Sequence, residues 1–104
     1  MTSGFNISGV LLVTGGGSGI GREIAMAFAA EGARGIHLCD MNSESLQEVA
    51  NALKKSATHP DFEVIYSVMN VTKPEDCDRA VADTITKWSR LDVSLPTRIQ
   101  RGRK

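Results

Sequence analysis

The sequence predicts an α/β fold: a parallel sheet wound on both faces by helices, in the order β-α-β-α-β-α, with a fourth strand missing or incomplete. Three observations carry this. Short apolar runs suited to strands buried on both faces alternate with stretches of helical spacing. A glycine cluster, Gly15-Gly16-Gly17-Ser18-Gly19, separates the first apolar run from the first helical stretch. The length of 104 residues with 41% apolar content suits one small domain with a modest core.

Each element has its own justification. Val10 to Val13 is a continuous apolar run, as expected of a strand covered on both sides. From Gly21 to Glu31 the residues Ile20, Ile24, Ala27 and Phe28 fall on one helical face, and Gly32 is placed to end the helix. Gly35 to Asp40 reads as the second strand. Asn42 or Ser43 caps the next helix, Glu44 favours its dipole, and Leu46, Val49, Ala50 and Leu53 form its apolar stripe. After the loop His59-Pro60-Asp61, Glu63 to Met69 is the third strand. Thr72-Lys73-Pro74-Glu75 has the spacing of a capping box with proline in the first turn. The helix behind it is expected to bury Cys77, Ala80, Val81, Thr84, Ile85 and Trp88.

Leu91-Asp92-Val93 opens like a fourth strand, and then the pattern changes. Residues 94–104 hold four basic residues and no acidic one, which leaves eight basic against twelve acidic residues in 1–93. The expected division is a nucleotide-binding half-domain over 1–93 and a basic, disordered tail over 94–104. The tail reads as text from a shifted frame or an unspliced intron in preference to a nucleic-acid arm. Zero net charge gives no whole-chain reason to seek nucleic acid or an anionic membrane. Met1 to Asn6 carries neither a basic leader nor an apolar span, so no secretion signal is expected, and Cys39 and Cys77 fit thiols of a reducing, cytoplasmic compartment. His37 and His59 lack partners at metal-ligand spacing and are expected to be structural or solvated, and both cysteines to pack rather than react.

Between strand and helix, Thr14 to Gly21 supplies glycines for positive φ and close backbone approach, just where a helix points free N–H groups. That is the physical recipe for a pyrophosphate site. The strict Gly-x-Gly-x-x-Gly spacing is not met; Gly15-x-x-x-Gly19-x-Gly21 is. Gly16-x-x-x-x-Gly21 is followed by Arg22-Glu23, not Lys-Ser/Thr, which argues against a nucleoside triphosphatase. Asp40 closes the second strand 19 residues after Gly21, where a carboxylate accepts both ribose hydroxyls and repels a 2′-phosphate.

Thr14-Gly15-x-x-x-Gly19-Ile20-Gly21 resembles the Thr-Gly-x-x-x-Gly-Ile-Gly signature of the short-chain dehydrogenases/reductases. The resemblance continues through Ile24-Ala25, Glu31-Gly32-Ala33, Asp40, Asn70-Val71-Thr72 and Arg90-Leu91-Asp92-Val93. It covers about nine-tenths of this chain and well under half of a usual member. It implies part of a Rossmann sheet and a nicotinamide dinucleotide used for hydride transfer between alcohols and carbonyls. By that resemblance Gly15, Ser18, Gly19, Ile20 and Gly21 surround the pyrophosphate, and Thr14 and Val71 complete the cofactor set. Asp40 binds the adenosine ribose, Met41 lies against adenine, and Asn70 replaces the family's aspartate as a weaker acceptor for the adenine amino group. Ser18 and Met41-Asn42 stand where NADP-binding members carry basic residues, so NAD is preferred over NADP.

The family's catalytic serine and Tyr-x-x-x-Lys pair, in which the lysine lowers the tyrosine pKa, have no counterpart in these 104 residues. The one tyrosine, Tyr66, is followed four residues later by Asn70 and is read as a packing residue. Three functions follow as expectations: a catalytically incompetent NAD-binding part, a non-catalytic module pairing with a complete dehydrogenase subunit, and a basic-tailed regulatory protein. With the fourth strand absent, Val10 to Val13 would be an exposed edge prone to self-association, and the last helix would find little sheet to cover.

Overall fold

A computed structural model of the chain describes residues 9–17, 19–70 and 72–96. Its elements are β1 (Val10–Thr14), α1 (Gly19–Ala30), β2 (Gly35–Asp40), α2 (Ser43–Ser56), β3 (Glu63–Val68), α3 (Pro74–Trp88) and β4 (Val93–Pro96). The four strands form one parallel sheet in the order β3-β2-β1-β4. Among the described residues no helix is long and apolar enough to cross a membrane.

In-register pairing assigns each strand residue to a face, because side chains alternate along a strand. Leu11 and Val13 of β1 and Ile36 and Leu38 of β2 point to the layer of α1 and α2, joining Ala25, Ala29, Leu46, Val49, Ala50 and Leu53 in the larger core. Leu12 and Cys39 face α3 and meet Ala80 in a smaller one. β1 and β2 are thus buried on both faces, which accounts for the unbroken apolar run of β1; β2 carries one polar residue, His37, on the α3 face.

The fourth strand is present but short, and it changes the status of β1. Leu11 to Thr14 pair with Val93 to Pro96, so β1 is an interior strand and the expected open edge there does not exist. The edge strands of the described sheet are β3 and β4. A clamp sets β4 in place: the Asp92 carboxylate accepts a hydrogen bond from Val10 N at 2.8 Å, and Asp92 N donates to the Val10 carbonyl at 3.0 Å. Arg90 holds the same carboxylate with Nε and Nη2 at 2.8 and 2.7 Å, and with the Val10 bond this keeps the carboxyl below its usual range.

Two helices depart from the expected pattern. α1 buries Gly21, Ala25 and Ala29, while Ile20 is 67% exposed, Ala27 is exposed and Ile24 and Phe28 are only partly covered. Small residues let the helix axis approach the sheet, and the larger apolar residues flank that contact. α3 buries Ala80, Thr84 and Trp88; Cys77 and Val81 lie at the margin, and Ile85 is 47% exposed. Its expected capping box does not form either. Thr72 gives both its N–H (2.9 Å) and its hydroxyl (2.6 Å) to Asn70 Oδ1, and Lys73 takes the cap position without a side-chain bond. The helix starts one residue later than the spacing suggests, so Thr72 lies before the cap and folds back onto Asn70 in a local turn. α2 forms as expected, with Asn42 Oδ1 accepting from Ser45 N at 3.0 Å.

α3 does find sheet to cover, in register with β2. Ala80 packs at Cys39, Thr84 bonds His37, and Trp88 lies against Gly35. Four helical residues rise about 6 Å, close to the rise of two strand residues, so the two elements stay matched over their whole contact. Gly35 is required for space: a Cβ there would fall on the Trp88 ring. Trp88 Nε1 is buried with no hydrogen-bond partner among the described residues.

His37 is fully buried and structural, as expected. Its Nδ1 meets Thr84 Oγ1 and its Nε2 meets Ser67 Oγ, each at 2.8 Å. Thr84 donates its own proton to the Ala80 carbonyl at 2.7 Å, so it accepts from Nδ1–H, and Nε2 accepts from Ser67. Burial pushes the imidazole pKa below 6.5, with the Asp83 charge opposing. The unfolded chain therefore binds the extra proton first: this contribution is full above 6.5 and is lost as pH falls from there toward the lowered folded value.

Two expected outcomes follow from these contacts. Urea midpoints should fall on acidification below about pH 6.5, and His37→Gln should flatten that slope while lowering stability by about 1–3 kcal/mol. Midpoints of the two proteins that fall in parallel would remove His37 as the cause. Gly35→Ala should destabilise by about 1–3 kcal/mol through overpacking against Trp88, read from the same denaturation curves.

Candidate functional site

The carboxyl ends of β1, β2 and β3 converge on the glycine turn. β1 ends at the half-buried Thr14, and the chain turns at Gly15 with φ 72°. Gly15 N and Gly16 N both donate to the Cys39 carbonyl, at 2.6 and 3.1 Å. Gly17 N donates to Asp40 Oδ2 at 3.0 Å, and Met41 N donates to the other carboxylate oxygen at 2.7 Å. The Asp40 carbonyl accepts from Met69 N at 2.8 Å, which brings the end of β3 to the same place.

Beyond the turn, Gly19 opens α1 with φ 59°, a value that disfavours any side chain, and a Cβ there would meet nothing within 4 Å. Among the described residues, the side of Gly19 where a Cβ would stand is therefore open. The first turn of α1 carries no acidic residue of its own. Ile20 is exposed beside it, and Gly21 is buried beneath, allowing α1 to sit close to the sheet. Met41 is 64% exposed after Asp40, and Val68 is 55% exposed at the end of β3. Together these make a ledge with a carboxylate on one side, apolar surface beyond it and open amides on the other. An anion fits against the helix start, and vicinal hydroxyls fit against Asp40.

Of the residues expected from sequence, the structure brings Thr14, Gly15, Gly19, Ile20, Gly21, Asp40, Met41 and Asn70 to this end of the sheet. Ser18 and Val71 lie outside the described residues. Asn70 Oδ1 is engaged by Thr72, as described, and Asn70 N donates to Asp76 Oδ2 at 3.3 Å. Tyr66 sits on β3 opposite Leu38, on the α2 face and 38% exposed. The Cys39 thiol is pushed up to about 12 by burial, with Cys77, Asp83 and Asp40 adding to it, so it packs as a neutral group.

Sequence reasoning missed Gly17 and the Cys39 carbonyl. A backbone acceptor leaves no mark in a sequence. Gly17 did leave one: three consecutive glycines exceed what a single positive φ at Gly15 needs. A cavity of about 200 Å³ lies between the end of β3 and α3, lined by Ser67, Val68, Met69, Asp76, Arg79 and Asp83 among others; it shares Val68 with the ledge and no residue with the glycine turn. No group of three or more His, Cys, Asp or Glu suited to a metal occurs among the described residues.

Comparison with known proteins gives the family. The family model for short chain dehydrogenases matches residues 9–95. The short-chain dehydrogenase anuF of Penicillium roqueforti is 38% identical over 89 residues, covering 86% of this chain and 32% of that protein. Levodione reductase of Leifsonia aquatica is 40% identical over 83 residues, covering 80% and 30%. Among solved structures, levodione reductase superposes with a TM-score of 0.75 at 38% identity, over 85% of this chain and 33% of that one. A xylitol dehydrogenase with NAD⁺ bound gives a TM-score of 0.75 at 29% identity, over 86% and 33%. This chain spans about a third of the length of these relatives. With the family model matched from Gly9 to Leu95, the chain belongs to the short-chain dehydrogenase family of oxidoreductases.

Proposed function

We propose that this chain is the dinucleotide-binding part of a short-chain dehydrogenase, that it takes NAD in preference to NADP, and that it does not itself turn over substrate. One observation carries the reading: Asp40 stands at the end of β2 with its carboxylate held at the glycine turn by Gly17 N. A carboxylate there accepts the ribose hydroxyls and repels a 2′-phosphate. The open space over Gly19 and the exposed start of α1 fit a pyrophosphate. Exposed Met41 offers a surface for adenine, and Asn70 can take its amino group on releasing one of the two bonds from Thr72. Thr14, Ser18, Ile20, Gly21 and Val71 complete the site on the family pattern.

The nicotinamide, when bound, supplies hydride transfer between an alcohol and a carbonyl; the residues of this chain bind and orient the nucleotide. No proton donor of the Tyr-x-x-x-Lys kind stands among these 104 residues, and Tyr66 lies on the α2 face of an edge strand. A second reading, a binding module that joins a complete dehydrogenase subunit or its own copy, is favoured by β4 having β1 alone as a strand partner among the described residues. A buried thiol at Cys39 supports a reducing, cytoplasmic setting.

Calorimetric titration should show NAD binding tighter than NADP by at least about tenfold, and Asp40→Ala should weaken NAD by about tenfold or more. A preference for NADP would overturn the role of Asp40. Hydride transfer to any carbonyl by the purified chain would overturn its catalytic incompetence. A dimer in solution dispersed by substitutions in β4 would favour the module.

A further inference from the structure

Three glycines follow Thr14, and they are not there for one reason. Gly15 has φ 72°, which glycine alone adopts freely, whereas Gly17 is not among the residues with positive φ. Its backbone admits other residues; its surroundings do not. A Cβ on Gly17 would lie 2.9 Å from Asp40 Oδ2, 3.3 Å from Asp40 Cγ and 3.0 Å from Ser45 Cβ. These neighbours differ in what they can yield. Ser45 sits in the first turn of α2 with its N–H held by Asn42 Oδ1. The Asp40 carboxylate ends a rotatable side chain. A methyl group at position 17 therefore forces the carboxylate to shift and strains the 3.0 Å bond from Gly17 N to Oδ2.

We propose that Gly17 is a positioning residue for nucleotide selection: its N–H aims Asp40 and its missing side chain leaves the carboxylate room, so that residue 17 sets the choice between a ribose 2′-hydroxyl and a 2′-phosphate. This rests on the reading of Asp40 as the ribose-binding group. Both carboxylate oxygens are oriented by backbone amides, Gly17 N on one and Met41 N on the other. The Gly17 amide belongs in turn to the turn fixed by the Cys39 carbonyl. The discriminating charge is thus preset before a nucleotide arrives, which lowers the ordering demanded on binding.

The test uses the full chain and its variants Gly17→Ala, Asp40→Ala, Asp40→Asn and the Gly17→Ala/Asp40→Ala double, titrated with NAD and with NADP. Gly17→Ala should remain folded and lose about tenfold in NAD affinity while NADP affinity stays within about twofold. In the Asp40→Ala background the same change should alter neither affinity by more than about twofold, because the two act as one unit. Independently of any nucleotide, the Gly17 amide should exchange slowly in the parent and in Asp40→Asn, whose side-chain oxygen still accepts, and rapidly in Asp40→Ala. Equal losses for both nucleotides in Gly17→Ala, an unchanged preference, or a Gly17 amide indifferent to Asp40 would each overturn the proposal. If the parent binds neither nucleotide, the proposed function falls, and amide exchange alone decides whether Gly17 positions the carboxylate.

Discussion

The carbonyl oxygen of Cys39 accepts hydrogen bonds from both Gly15 and Gly16, and through this acceptor β2 dictates the path of the glycine turn. One residue later Asp40 contributes its carboxylate to Gly17 and its carbonyl to Met69. Two consecutive residues at the end of one strand thereby gather β1, the turn and the end of β3. The buried Cys39 side chain anchors the arrangement from below, among Leu12 and Ala80. The site is thus joined directly to the core through the backbone of one buried residue.

The same strand organises the opposite layer. Gly35, His37 and Cys39 present a surface that is empty, polar and small in turn, and α3 answers with Trp88, Thr84 and Ala80. The imidazole is the one polar group of β2 buried on that face, and hydrogen bonds to two neighbouring elements satisfy both of its nitrogens. A buried group so fully partnered fixes which turn of α3 lies over which strand residue, something apolar contacts alone specify less sharply. The α1 and α2 layer has no such pin, and relies on volume: alanines in α1, leucines in α2.

Much of this was legible beforehand. The three leading strands, the Asn42 cap, the glycine turn and the acid at the end of β2 all follow from local patterns whose causes are local. What was not legible depends on tertiary context. In α1 two stripes lie one residue apart, Ile20-Ile24-Phe28 and Gly21-Ala25-Ala29; periodicity favours the more hydrophobic, but close approach to the sheet selects the smaller. Thr72 has the spacing of a cap, yet a turn onto Asn70, two residues earlier, leaves it one residue before the helix cap at Lys73. β4 was obscured because Ser94 and Pro96 break an apolar run, while pairing with β1 is decided by Asp92 and Arg90 outside the strand. At the site, Asp40 was visible as a charge at a distance; the amide that aims it was not.

The bond from Val10 N to Asp92 joins residues 82 apart in sequence, and that separation orders events during synthesis. Of the four described strands β1 leaves the ribosome first and can pair with β2 early, but its other side stays unpaired until residues 92–96 have emerged. Until then it presents an apolar border of unpaired backbone groups, and a nascent parallel sheet in that state is open to chaperones and to misassembly. Closing so long a loop adds little further entropy once its halves are folded, since the penalty grows only with the logarithm of length. The clamp therefore acts less as ballast for the finished protein than as the latch that ends its exposure.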